Sequence, residues 1–116
     1  MKKYKLPKKA VENAKLALYY KKKYPNEVKA MTPVGWARAR QIASGKPLTP
    51  KTIKRIANFN RHRKNAKIEK EHKGKPWRDN GFIAWKGWGG TSGVNAAKKY
   101  VKEYNLWGEI KCITKH

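Results

Sequence analysis

Apolar residues recur at helical spacing in four stretches of the chain, and turn-forming residues separate them. Over residues 8 to 24, Ala10, Val11, Ala14, Leu16, Ala17, Leu18 and Tyr20 form a broad apolar face after Pro7, and Pro25 ends it. A second helix opens at Thr32, a capping residue, with Pro33 at the first helical position, where a missing N–H costs nothing. It carries Trp36, Ala39, Ile42 and Ala43 and stops at Gly45, which can take the left-handed conformation that closes a helix. The same opening recurs at Thr49 and Pro50, and Ile53, Ile56, Ala57 and Phe59 carry a third helix to about Lys64. A fourth follows Gly89 and Gly90, capped by Thr91 or Ser92, and runs to Tyr104, with Asn105 as its terminator.

The intervening segments are less regular. Residues 65 to 80 are polar, contain Gly74 and Pro76, and read as a loop. FIAWKGW, residues 82 to 88, fits a short buried helix or a strand; periodicity does not separate the two in so short a run, and the helix is favoured. LWGEIKCI, residues 106 to 113, suits one short strand. The expectation is a mainly α protein: a compact small helical domain with a helix-turn-helix-like hairpin and one short β element near residues 106 to 113. It is read as a single domain over residues 1 to 116. Within it lie a basic N-terminal helix (1 to 30), a helical core (31 to 104) and a tail (105 to 116).

Charge changes the picture from fold to partner. Lys and Arg number 30 against 7 Asp and Glu, a formal net charge of +23 in 116 residues. Solubility needs only about 2 to 8 charges on a small domain, and self-repulsion on this scale opposes folding in isolation. A counter-charge is therefore expected: DNA, RNA, an anionic surface or an acidic protein. Thirteen aromatics argue against disorder. One cysteine, Cys112, excludes an internal disulfide and a multi-cysteine zinc site, and His62, His72 and His116 lack metal-ligand spacing. No apolar run approaches the roughly 18 residues of a membrane span, and the basic start MKKYKLPKK lacks the apolar stretch of a secretory signal. No metal, cofactor or membrane is expected.

Charge is also unevenly placed. Residues 1 to 30 carry 10 Lys against 2 Glu, and residues 31 to 80 carry 14 Lys and Arg against 3 acids. After Gly81 there are 6 Lys against 2 acids, together with three of the five tryptophans. The earlier two thirds thus read as binding surface and the last third as scaffold. On the third helix, Lys51, Lys54, Arg55, Asn58, Arg61, His62 and Lys64 surround Ile53 and Ile56. There Arg and Asn suit base edges and Lys suits phosphates. An ordinary helical hairpin with a solvated basic face gives the same pattern. Arg38 and Arg40 lie on different faces of the second helix, about 200° apart at 100° per residue, so at most one of them extends this surface. Lys21, Lys22 and Lys23, with Lys8 and Lys9, offer further phosphate contacts.

Two further segments carry alternative readings. Trp77, between basic residues, is either a lid over the core or a stacking platform for an unpaired base. In GWGGTSG, the amides around Gly90, Thr91, Ser92 and Gly93 could hold an anion at a helix start. The segment matches neither the dinucleotide fingerprint nor the P-loop, and tight packing of Trp85 and Trp88 explains its glycines as well. The seven acids form no convincing pair, and Cys112 has no neighbouring base except His116, so no catalytic residue is expected.

Residues 34 to 99 resemble a small domain of unassigned function that recurs in bacteriophage and large-virus proteins, sometimes beside head-assembly components. The blocks that carry the resemblance are VGWARARQIASGKPLTPKTIKRIANFNRHRKN and GFIAWKGWGGTSGVNAAKK. In the first, the matching positions are Arg38, Ala39, Arg40, Gly45, Leu48, Thr52, Arg55, Phe59, Arg61 and His62. In the second they are Ile83, Ala84, Trp85, Trp88, Gly89, Gly90 and Gly93. Asn60 stands where a second apolar residue is common, and Lys86 and Gly87 replace an apolar pair. The resemblance implies a viral origin and no activity.

The expected function is a virally encoded basic nucleic-acid-binding protein, with DNA before RNA, acting chiefly through phosphate contacts. The alternatives are a minor structural virion protein docked on an acidic capsid or portal surface, and an RNA-binding protein. The corresponding location is the virion or the host cytoplasm, or the nucleus of a eukaryotic host.

Overall fold

The structure, a computed structural model, describes residues 3 to 104. It is mainly helical: α1 (Lys8–Lys23), α2 (Pro33–Ala43), α3 (Pro50–Asn58), α4 (Asn80–Gly87) and α5 (Gly90–Glu103). The strand expected near residues 106 to 113 lies outside the described residues.

Local chemistry sets the helix ends. The Thr32 hydroxyl accepts a hydrogen bond from the Gly35 amide and the Thr49 hydroxyl from the Thr52 amide, both at 3.3 Å. Each satisfies one of the donors that a helix start leaves without an intrahelical partner. Gly45 follows α2 at φ +74°, the left-handed closure expected of it. FIAWKG lies in a helix that Trp88 closes, and the start of that helix is capped by Asp79, whose Oδ1 accepts from the Phe82 amide at 3.0 Å. The other oxygen of the same carboxylate accepts from the Glu69 amide at 2.7 Å. One buried acid thereby ties the 65–80 segment to α4.

Three expectations change. The third helix is α-helical only to Asn58 and continues as a tighter 3₁₀ segment, Phe59–Ala66, with a kink at His62. Past Phe59 the sequence NRHRKN offers no apolar face to hold a regular helix against the core. Arg61, His62 and Lys64 therefore do not share the α-helical face of Lys51 and Arg55. Secondly, α5 begins at Gly90 with Gly89 as its cap residue, ahead of the expected Thr91 or Ser92. Gly89 and Gly90 sit at φ +100° and +66°, which lets the chain turn from α4 directly into α5. The third concerns the loop: residues 65 to 80 contain two short 3₁₀ turns, Lys70–His72 and Pro76–Arg78.

The helices pack around α1, whose Ala10, Ala14 and Ala17 are fully buried and let its neighbours approach closely. α1 lies against α2, α4 and α5, so the N-terminal helix belongs to the same packed unit as residues 31 to 104. α3 packs on α5. Ile42, Ile53, Ile56, Trp85, Val94 and Val101 fill one apolar cluster, and Val28, Trp36, Ala39, Phe82 and Ile83 a second. The extended residues before α1 are tied in by Tyr4, which exchanges backbone hydrogen bonds with Leu48 at 2.8 and 2.7 Å. No Cα pair of α2 and α3 comes within 8 Å. The two follow one another in helix–turn–helix order, with α2 packed on α1 and α3 on α5, and both contribute to the first core cluster.

Candidate nucleic-acid interface

α3 is sharply two-sided. Thr52, Ile53, Ile56 and Ala57 are buried, while Lys51, Arg55 and Asn58 are exposed and Lys54 is half-buried. Spacings of four and three residues place Lys51, Arg55 and Asn58 on one face. Arg38 extends this face from α2: its Nη1 donates to Gln41 Oε1 at 2.6 Å and to Thr52 Oγ1 at 3.3 Å. Arg40 is exposed on another side of α2, so only one of the two joins the surface.

Arg38 is the most constrained of these cations. Its guanidinium lies 5.9 Å from the Trp88 ring centre, and its Nε is shielded from solvent with no hydrogen-bond partner. Partial burial, and then the like charge of Arg55, lower its pKa from the usual arginine value. Two positive groups have thus been brought together without an acid between them. The same holds more widely. Among the described residues the ion pairs are Arg78 with Glu27 at 2.6 Å, Lys99 with Glu103 at 3.8 Å, and a His72–Glu71 contact at 3.7 Å. None involves Arg38, Arg40, Lys51, Lys54, Arg55, Arg61, Lys64 or Lys21 to Lys23.

Other candidate residues go elsewhere. Arg61 is exposed, and its Nε donates to His62 Nε2 at 3.1 Å. His62 is half-buried against Phe59, with ring centres 4.8 Å apart. Lys64 is exposed at the end of the 3₁₀ segment. Lys21, Lys22 and Lys23 occupy the last turn of α1, where cations complement the helix dipole. Lys21 lies 5.5 Å from the Trp36 ring, and Lys23 donates to the Tyr19 hydroxyl at 3.1 Å. That bond and the phenolic groups of Tyr19 and Tyr24 raise the Lys23 pKa.

At the candidate anion site, Gly90, Thr91, Ser92 and Gly93, packing accounts for the glycines. A Cβ on Gly90 would fall 2.4 Å from Asn13 Nδ2, and one on Gly93 would fall 3.2 Å from Ala10 Cβ. The glycines are required because α1 lies directly on this turn. Asn13 Nδ2 donates to the Gly89 carbonyl at 2.9 Å, and Thr91 Oγ1 accepts from Trp85 Nε1 at 3.1 Å. Trp77 behaves as a lid: its ring stacks on Tyr24 at 3.9 Å with 6° between planes. Next to it, Arg78 holds Glu27 and lowers the pKa of that carboxyl. The Trp77 indole lies near enough to add to the effect without closing a hydrogen bond.

Sequence reasoning missed Asp79, the dual cap of α4, although an acid three residues before Phe82 is a capping signal. It also missed Arg63. That side chain bonds Asn60 Oδ1 at 2.8 Å and Asn95, and lies 5.6 Å from the Trp85 ring, which makes it structural.

Among the described residues no cluster of three or more His, Cys, Asp or Glu could hold a metal ion, and no helix is long and apolar enough to cross a membrane. No family model matches the chain, and neither a curated protein nor a solved structure matches it significantly.

Proposed function

We propose that this protein binds nucleic acid, DNA before RNA, through the basic face formed by α3 and Arg38. One observation carries the reading: Arg38 is partly desolvated beside Arg55 with no acid to compensate either. Like charges held together at a surface call for an anionic ligand, and phosphate matches the guanidinium fork. The net charge of +23 supplies attraction over a wider area. A viral setting, in the particle or the host cell, is part of this proposal and rests on the resemblance of residues 34 to 99.

The test is a titration against duplex DNA, single-stranded DNA and RNA at about 50 and 200 mM salt. Release of counterions from four phosphates gives a slope near −3.6, about a hundredfold loss over that range. Changing Arg38, Lys51 and Arg55 together to Gln removes charge from this face with little change in helix propensity. Each lost phosphate contact lowers the slope by about 0.9. The matched control changes Lys21, Lys22 and Lys23. Equal effects from the two triple variants would show diffuse attraction, and a larger effect from the lysine cluster would move the contact to α1.

A further inference from the structure

A groove of about 430 Å³ opens where α2, the 59–66 segment and α4 meet, and it adjoins the basic face. Its volume lies within the usual range for small-molecule sites. Small residues, Gly35, Gly81 and Ala84, are part of its lining, with the Met31 side chain packed over Gly35 and that of Asn65 over Gly81. Phe59 and Trp88 form one wall as a parallel stack, with ring centres 4.8 Å apart and 11° between planes. Met31 and Val34 line the groove as well, and Val34 is 63 % exposed, a large apolar side chain left in water at the rim. Met31 holds a left-handed backbone, φ +60°, which an L side chain adopts at a cost. Its side chain fills the spaces over Gly35 and Gly87, where added Cβ atoms would lie within 3.1 and 2.5 Å of it.

The polar groups of the groove are Thr32, His62, Asn65 and Asn80. His62, Asn65 and Asn80 supply donors and acceptors, and no acid lines it. The nearest carboxylate in sequence, Asp79, already has both oxygens occupied by backbone amides. Cations stand at the edges: the Arg38 guanidinium lies 5.9 Å from the Trp88 ring centre, and Arg61 bonds His62. An aromatic wall, amide and imidazole groups at the sides and flanking guanidinium groups match one kind of occupant. It is flat, has hydrogen-bonding edges and is joined to phosphates.

We infer that this groove takes an unstacked nucleobase of a single strand, whose flanking phosphates lie toward Arg38 and Arg61. The inference rests on the nucleic-acid reading above and deepens it by naming unpaired strand as the preferred ligand. A base inside a duplex cannot reach such a recess without being extruded. Preference for a single strand therefore comes from burying the base in the groove, and affinity from charge.

The test compares a labelled oligothymidylate with a duplex of equal length, for the parent and two variants. Ala84→Leu fills the groove. Val34→Asp places charge at its rim, in the first turn of α2, where an acid favours the helix. The ratio of single-strand to duplex affinity is the readout, because a change in overall charge alters both terms. Both variants are expected to lower that ratio about fivefold or more. An oligonucleotide carrying 5-iodouracil should crosslink to Phe59, Trp88 or Met31. If Ala84→Leu does not fold, Val34→Asp and the crosslinks decide the matter. An unchanged ratio in a folded variant, or crosslinks concentrated on Tyr19 and Trp77, would overturn the inference and leave duplex binding standing. Equal competition by polyglutamate that is equally sensitive to both variants would reassign the groove to an acidic protein. Absence of salt-sensitive binding to either oligonucleotide would remove this inference together with the reading beneath it.

Discussion

Replacing Arg38 by Met separates a residue kept for binding from one kept for stability. Met is close to Arg in helix propensity, and its terminal methyl reaches as far as Nε, so an apolar group takes the place of the partnerless nitrogen. The losses are the bonds to Gln41 at 2.6 Å and Thr52 at 3.3 Å, the first of them exposed, and a cation–π contact at 5.9 Å. Together these amount to about 1.5–3 kcal/mol. The gains are relief of a shielded Nε without a partner, about 1–3 kcal/mol, and removal of repulsion from Arg55. The opposing terms nearly cancel, so thermal denaturation should place the melting temperature within about 5 °C of the parent. Binding should respond differently. One lost phosphate contact lowers the salt slope by about 0.9, and a charged hydrogen bond at the lower end of its range corresponds to about tenfold in affinity. A fall in melting temperature beyond about 10 °C would make Arg38 a structural tether between α2 and α3. Unchanged affinity and slope in a folded variant would remove it from the interface.

Trp85→Ala should cost about 3–5 kcal/mol in denaturant unfolding, since the ring is 1 % exposed and fills the first core cluster; an unchanged midpoint would show that the ring is not part of the core. Gly90→Ala should cost about 2–4 kcal/mol, combining left-handed strain with loss of the Asn13–Gly89 hydrogen bond. Asn13→Ala should cost about 1–3 kcal/mol. The double variant should be less destabilised than the sum, because removing Asn13 clears the space a Cβ needs; additive costs would show that the two residues do not meet. Glu27 has its carboxyl pKa lowered from 4.5 by Arg78, so its contribution is present above the unfolded value and is lost as pH falls through the lower folded value. Glu27→Gln should flatten the acid side of the stability–pH profile in that window and leave the neutral-to-alkaline side parallel to the parent; a profile identical in slope would mean that the pair makes no contribution.

Much of this protein is determined locally, and that part was legible in the sequence. Thr32–Pro33 and Thr49–Pro50 start helices because a hydroxyl and a fixed φ act within one turn, whatever lies around them. Gly45 closes α2 for a similar reason, and the alanines of α1 announce a face for close packing. The separation of Arg38 from Arg40 follows from helical geometry alone. What contacts what is another matter. The glycines at 90 and 93 fit an anion cradle as well as a packing turn, and only the placement of Asn13 and Ala10 of α1 above them shows why glycine stands there. The third helix tightens after Asn58, where only Phe59 and Ala66 of residues 59 to 66 pack on the first core cluster and the residues between them are polar. That α2 packs on α1 while α3 packs on α5 is likewise a matter of tertiary contacts. The groove between α2, residues 59 to 66 and α4 joins residues from Met31 to Trp88. Sequence pattern records spacing along one helix, whereas a recess exists only where elements distant in sequence leave space between them.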